Sequence, residues 1–171
     1  VAAARSSAMS CSHPEQRIDR IAVGLPTLGD WRWRLERQHP RSLGAGGQVK
    51  RFLMASGEAG DEIVRLLDLF DAALHAEHVE CPALVKLALR DEIVPAPTQS
   101  SVYNALGTPG LKGRFVTRYG HFDGGLNDLR RHALFEKMSA QFLDPAHEPM
   151  DVLERWESVM TSGVRPPEAV A

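Results

Sequence analysis

The run "PALVKLAL", from Pro82 to Leu89, constrains the fold more than any other part of this 171-residue chain. Its residues are almost all apolar, and a charged segment follows it directly. A strand that is apolar at nearly every position must be covered on both faces, as strands of parallel sheets are when helices flank them. We therefore predict a buried parallel strand here.

Two weaker strand patterns lie on either side of this run. The segment "RIAVGLPTL", from Arg20 to Leu28, predicts a short buried strand that continues into a loop. The segment "GRFVTRYGH" predicts a strand from Arg114 to Tyr119. With helical segments between them, the order is strand, helices, strand, helix, strand, helix. That alternation predicts an α/β fold with a parallel sheet flanked by helices.

The helical segments are predicted from apolar residues that recur at helical spacing. The segment that starts at Asp61 predicts a helix with one buried face, and "LNDLRRHALFEKMSAQFL" predicts a long amphipathic helix. Shorter helices are predicted in "TQSSVYNALG" and "PMDVLERWESVM". The predicted buried faces contain Ile63, Leu66, Leu67 and Phe70 in the first helix, and Leu126, Leu129, Ala133 and Phe142 in the long one.

Composition fits one globular domain and excludes several other classes of protein. Apolar residues make up 43% and charged residues 25% of the chain, as in ordinary globular domains. The net charge of −2 argues against a nucleic-acid partner, and no apolar run approaches the roughly 20 residues that span a membrane. Two cysteines, Cys11 and Cys81, fit a reducing compartment, so we expect a cytoplasmic protein. We expect residues 1–162 to form the domain and residues 163–171 a disordered tail.

Candidate chemistry lies where two of the predicted strands end. Asp91 comes two residues after Leu89, and His121 comes two residues after Tyr119. Ligands of open parallel sheets bind beyond the carboxyl ends of the strands. An acid after one strand and a histidine after the next match the second half of a Ser-Asp-His triad in α/β-hydrolase order. The alternative is that Asp91 only caps a helix or forms a turn.

Other groups of polar or aromatic residues give weaker predictions. His75, His78 and Cys81 have spacings that suit a metal ion, but Pro82 interrupts the helix there, so we predict no metal site. The glycines of "GAGGQ", which starts at Gly44, predict a turn. Trp31 and its neighbour Trp33 lie among arginines and either line a contact surface or pack beneath a loop.

The residues around Asp91 and His121 resemble a known family. "ECPALVKLALRDEIVPAPTQSSVYNAL" and "GRFVTRYGH" are similar to the C-terminal half of the acetyl xylan esterases and cephalosporin C deacetylases, the seventh carbohydrate-esterase family. Asp91, Pro95 and Tyr103-Asn104 match the family's "D-x-x-x-P-P" and "Y-N" motifs, and His121 matches its histidine. The resemblance extends over residues 17–120, because two further segments are similar to the family: Phe70-Asp71 and "RIAVGLPTLGDWRWRLE".

The resemblance implies a partial α/β-hydrolase fold and a Ser-His-Asp mechanism. Asp91 would orient His121, and His121 would act as general base and then general acid. The implied substrates are small acetylated carbohydrates or related acetyl esters, with no cofactor. Family members form ring-like oligomers, so a homo-oligomer is also implied.

The chain departs from the family at its nucleophile. The family carries a "G-x-S-Q-G-G" elbow, whereas no G-x-S-x-G occurs in this sequence. Ser10 in "AMSCS" lacks the flanking glycines, and we expect the nucleophile to lie upstream of Val1. Phe122 also stands where the family has glutamate after the histidine. A non-catalytic truncated or degenerate α/β-hydrolase, or a related peptidase or dienelactone hydrolase, are the alternatives.

Overall fold

The computed structural model describes residues 18–57, 60–108, 111–121 and 123–162. Its centre is a three-stranded parallel sheet in the order β1-β2-β3. The strands are β1 (Ile21–Gly24), β2 (Ala83–Ala88) and β3 (Lys112–Thr117). The predicted α/β architecture with a parallel sheet is therefore confirmed. Ser10, Phe122 and the predicted tail at residues 163–171 lie outside the described residues.

Helices cover both faces of this sheet, as the apolar sequence of β2 requires. One face packs against helices Ala72–His75 and Ala96–Ala105, through Val85, Leu87 and Val102. The other face packs against helices Gly125–Leu143 and Pro149–Ser162, through Leu84 and Phe115. The helices are α1 (Trp31–Arg37), α2 (Gly44–Ala55), α3 (Gly60–Asp68), α4 (Ala72–His75), α5 (Ala96–Ala105), α6 (Gly125–Leu143) and α7 (Pro149–Ser162), with a 3₁₀ turn at Ala76–His78.

Strand β2 is the middle strand, and all six of its residues are buried. One of them is a lysine, Lys86, which is only 6% exposed. Its Nζ atom lies 3.3 Å from Nδ1 of His132 on α6. Burial lowers the pKa of Lys86, because an ammonium group loses hydration inside the protein. The central strand thus contains one polar side chain whose charged form burial disfavours.

The helix predicted from Asp61 onward is shorter than expected, and its predicted buried face is wrong. Helix α3 ends at Asp68, and Leu66 and Phe70 are 52% and 43% exposed. The predicted helix is interrupted after Asp68. Near this interruption, the buried carboxylate of Asp71 accepts hydrogen bonds from three backbone N–H groups. These belong to Asp30, Trp31 and Ala73. Asp71 therefore ties α4 to the start of α1 and prevents one continuous helix.

The buried face of α6 also differs from the predicted one. Leu126, Leu129 and Ala133 are exposed, whereas Phe142 is buried as predicted. The face against the sheet instead contains Arg131, Phe135, Met138, Ser139 and Phe142. The Arg131 guanidinium donates to the Val116 carbonyl and lies 3.9 Å from the centre of the Phe115 ring. Arginine counts as a polar residue in a hydrophobicity pattern. The pattern therefore cannot show that the aliphatic part of Arg131 packs in the core while its guanidinium bonds a strand carbonyl.

The turn predicted from the glycines of "GAGGQ" is wrong, because α2 begins at Gly44. Gly44 has a φ of +79°, which glycine adopts without strain. Gly47 is buried, and a Cβ atom there would come within 2.0 Å of the Ser42 carbonyl oxygen. Glycine is therefore needed at position 47 because the start of α2 packs closely against the preceding loop, and not because the chain turns there.

Candidate active site

Asp91 lies in the segment that connects β2 to α5, and its side chain is fully buried. Its Oδ1 atom accepts hydrogen bonds from the backbone N–H groups of Ile93, at 2.9 Å, and Val94, at 2.8 Å. An aspartate that bonds backbone groups two and three residues ahead forms a compact local turn. This turn fixes the carboxylate and leaves Oδ2 to bond a group outside the segment.

That outside group is His121, which follows β3. Its Nδ1 atom lies 2.8 Å from Oδ2 of Asp91, and its side chain is 28% exposed. The structure thus brings the two predicted site residues into direct contact. A carboxylate at Nδ1 favours the tautomer with the proton on Nδ1, so that Nε2 carries the lone pair. The ring can then accept a proton on the side away from Asp91.

The backbones of the two segments run close together, and this brings Asp91 and His121 into reach. The N–H of Leu89 donates to the Thr117 carbonyl at 2.9 Å, which extends the pairing of β2 with β3. Gly120 then passes so near the Arg90 carbonyl that an added Cβ would lie 2.6 Å from its oxygen. A glycine before His121 is therefore required by the close approach of the two segments.

A cavity of about 310 Å³ opens beside the histidine. Three of its lining residues are charged, so a ligand there meets a polar wall as well as apolar contacts from Leu43 and Ile93. The described residues that line it include no serine, threonine or cysteine. The lining consists of Leu43, Arg90, Glu92, Ile93, Gly120, His121 and Asp123.

The other candidates from the sequence do not join this site. In the described parts of the chain, no three His, Cys, Asp or Glu side chains group in a way that could hold a metal ion. His75 instead lies 3.0 Å from the Leu69 carbonyl through Nε2, and His78 pairs with Glu77. Trp31 is 4% exposed, so it cannot present a ligand surface.

Sequence reasoning missed Arg34, a fully buried side chain near the Asp91 segment. It donates hydrogen bonds to the carbonyls of Thr27 and Gly29 and to Oγ1 of Thr98 on α5. Burial lowers the pKa of Arg34 to about 10, although nearby carboxylates, Asp91 among them, oppose the shift. No local signal could have revealed this role, because an arginine among other arginines and tryptophans reads as exposed.

None of the helices in the described part of the chain is both long and apolar enough to cross a lipid bilayer. This finding agrees with the absence of a long apolar run in the sequence.

Comparison with solved structures identifies the fold. The acetyl xylan esterase from Paenibacillus sp. R4 superposes with a TM-score of 0.58 at 18% sequence identity. The match covers 78% of this chain and 42% of that chain, so this chain spans less than half of its length. The described residues therefore adopt a partial α/β-hydrolase fold.

Comparison with sequences identifies the family. No curated protein gives a significant match to the chain. The family described as Acetyl xylan esterase (AXE1) matches residues 5–138, which is most of the chain and includes both Asp91 and His121. The chain belongs to the acetyl xylan esterase family.

Proposed function

We propose that this chain contributes the acid and base of a carboxylic-ester hydrolase that removes acetyl groups from small carbohydrates or related esters. The observation that carries the proposal is the 2.8 Å contact between Asp91 Oδ2 and His121 Nδ1 at the edge of a cavity. Membership of the acetyl xylan esterase family supports the reaction class.

In the proposed mechanism, Asp91 holds the proton on Nδ1 of His121 and stabilises the imidazolium that forms later. Nε2 of His121 takes the proton of a serine hydroxyl as its oxygen attacks the acetyl carbonyl. The same nitrogen then protonates the departing alcohol oxygen, which leaves an acetyl-enzyme. In the second half, His121 activates a water molecule that releases acetate and restores the serine.

The serine in this mechanism must come from residues other than those that line the described cavity. That lining contains no hydroxyl or thiol side chain. We therefore place the nucleophile outside the described residues, in keeping with the G-x-S-x-G elbow of the family. The same lining favours a second candidate function, a non-catalytic protein that retains the histidine and its acid without a nucleophile.

The chemistry of the cavity supports a polar substrate. Arg90, Glu92 and Asp123 provide charged groups beside His121, and these can bond the hydroxyl groups of a sugar. Leu43 and Ile93 provide apolar atoms that suit an acetyl methyl group or a sugar face. A small acetylated carbohydrate offers both kinds of surface.

The decisive experiment supplies the nucleophile. A family segment that carries the G-x-S-x-G elbow is joined upstream of Val1, and release of acetate from acetylated xylo-oligosaccharides is measured. We expect hydrolysis that is lost on His121→Ala and retained on His132→Ala, a control histidine on α6. Hydrolysis at the parent rate by the His121→Ala protein would reject the proposed role. A folded fusion protein without activity would favour the non-catalytic alternative.

A further inference from the structure

Ala88, the last residue of β2, has no residue of β1 paired with it, because the pairing of the two strands ends at Lys86. Leu25 makes the final link between the two strands, because its N–H donates to the Lys86 carbonyl at 3.0 Å. Leu25 has a φ of +51°, and this conformation turns the chain away from β2. Ala88 is fully buried. Its N–H and carbonyl on this side would be unpaired in the interior unless another group replaced the strand.

The side-chain amide of Gln99 on α5 replaces that strand. Its Oε1 atom accepts the N–H of Ala88 at 2.8 Å, and its Nε2 atom donates to the Ala88 carbonyl at 3.4 Å. The same Nε2 atom donates to the Val94 carbonyl at 2.5 Å. Gln99 is fully buried. One amide therefore bonds both ends of residues 88–94, the acid segment that holds Asp91.

The contact with Val94 links Gln99 to the carboxylate. Val94 donates its N–H to Oδ1 of Asp91 and accepts from Gln99 through its carbonyl. On the opposite side, the Leu89 N–H bonds the Thr117 carbonyl. The acid segment is thus fixed to β3 on one side and to α5 on the other, and Gln38 adds two longer bonds, at 3.5 Å each, to the Glu92 and Ile93 carbonyls. The attachment to α5 depends on the single side chain of Gln99.

We infer that Gln99 is a positioning residue that sets the carboxylate of Asp91 against Nδ1 of His121. The inference deepens the proposed function and rests on it. Gln99 is not among the described residues that line the cavity, and its side chain bonds Ala88 and Val94, so it acts through the acid segment. If the Gln99 amide is removed, Ala88 and Val94 lose the group that bonds them both. The turn that positions Oδ2 of Asp91 then becomes less well fixed.

The test reads the tautomer of His121 in this chain and needs no enzymatic activity. Two-bond ¹H–¹⁵N NMR spectra distinguish an imidazole protonated on Nδ1 from one protonated on Nε2. In the parent, neutral His121 is expected mainly as the Nδ1–H form, because Asp91 accepts that proton. In Gln99→Met, which keeps the volume but removes the amide, the ratio of Nδ1–H to Nε2–H is expected to fall about fivefold, the factor for one net hydrogen bond.

Thr98→Val is the matched control for this change. Thr98 is also fully buried on α5, and its hydroxyl bonds the Pro95 carbonyl and Arg34. Its loss should lower stability while the His121 tautomer stays as in the parent. An equal tautomer change in Thr98→Val would overturn the inference, because any weakening of α5 would then suffice. A parental tautomer in folded Gln99→Met would overturn it as well.

Two further measurements test the inference if the Gln99→Met protein does not fold. Gln99→Asn keeps an amide that is one methylene shorter and reaches one end of the acid segment, so a smaller change in the same direction is expected. In the unmodified chain, the Ala88 amide proton should exchange as slowly as that of Val85, and rapid exchange would contradict its bond to Gln99. If the parent itself lacks the Nδ1–H form, the proposed function fails, rather than the role of Gln99 alone.

Discussion

Asp91 uses its two carboxylate oxygens for different tasks: Oδ2 lies 2.8 Å from Nδ1 of His121, and Oδ1 accepts two backbone N–H groups of its own segment. The side chain is fully buried. A carboxylate held in this way cannot rotate to solvent without breaking both backbone bonds. The orientation of the histidine therefore depends on an acid that is itself fixed.

The first prediction concerns this acid in a protein that has the nucleophile. Asp91→Asn should lower kcat for an acetyl ester by on the order of 10⁴, because an amide can donate to Nδ1 and stabilise the wrong tautomer. Steady-state kinetics of the fusion protein measure the change. Asp151→Asn, the same change at an exposed carboxylate in the first turn of α7 and outside the cavity lining, is the control. A fall of only two- or threefold in Asp91→Asn would make Asp91 a turn residue.

The second prediction concerns the 171-residue chain by itself. We expect no turnover of p-nitrophenyl acetate above a buffer blank, because no hydroxyl or thiol is found among the described residues that line the cavity at His121. Spectrophotometric release of p-nitrophenol measures the rate. Turnover that survives Ser10→Ala would contradict our account of the nucleophile, and turnover that is lost on this change would identify Ser10 as that nucleophile.

The third prediction concerns the close approach at Gly120. Gly120→Ala should lower the free energy of unfolding by about 1–3 kcal/mol, because the new methyl group would push against the Arg90 carbonyl. Gly60→Ala is the control, since an added Cβ meets nothing within 4 Å there. It should leave stability equal or raise it by about 0.4–1 kcal/mol. Urea denaturation followed by circular dichroism measures both. Equal effects of the two changes would show that the approach at Gly120 is not tight.

The fourth prediction separates core leucines from exposed ones. Leu84→Ala should lower the free energy of unfolding by about 2–5 kcal/mol, because Leu84 is fully buried between β2 and the helices α6 and α7. Leu66→Ala, on the exposed side of α3, should change it by less than about 0.5 kcal/mol. Chemical denaturation of both variants gives the comparison. A large loss of stability in Leu66→Ala would indicate that Leu66 is buried, as its spacing in the sequence predicts.

The fifth prediction concerns pH and Lys86. Because burial lowers its pKa below the ordinary 10.5, the unfolded chain binds more protons than the folded one between the two pKa values. The unfavourable contribution of Lys86 to stability should therefore diminish as pH rises towards about 10.5. Lys86→Met should be more stable than the parent at neutral pH, by a margin that shrinks as pH rises.

Unfolding curves at several pH values measure that margin, and Lys137→Met on the exposed side of α6 is the control. The charges that face Lys86 are Asp128, Glu136 and Arg131, with His132 in contact. A margin that does not vary with pH would mean that Lys86 keeps its ordinary pKa in the folded protein.

The sequence predicted the sheet better than the helices around it. A run such as "PALVKLAL" must be covered on both faces wherever it lies, so its apolar residues alone indicate a central parallel strand. Helical spacing does not determine which side of a helix meets the core. Leu66 and Leu126 have the expected spacing and are exposed. Asp71 begins a separate short helix after α3, and Arg131 occupies the buried face of α6.

That Asp91 and His121 lie close together could be predicted from sequence, because parallel strands place their carboxyl ends at one edge of the sheet and each residue follows such an end. The tertiary structure decided the hydrogen bond between them and the hydrogen bonds that hold the acid segment in place. Gln99 reads as an ordinary polar residue of a short helix, yet its amide replaces a missing strand partner at Ala88. Its role arises only because Leu25 turns β1 away from β2, and a hydrogen bond between residues distant in sequence leaves no local pattern.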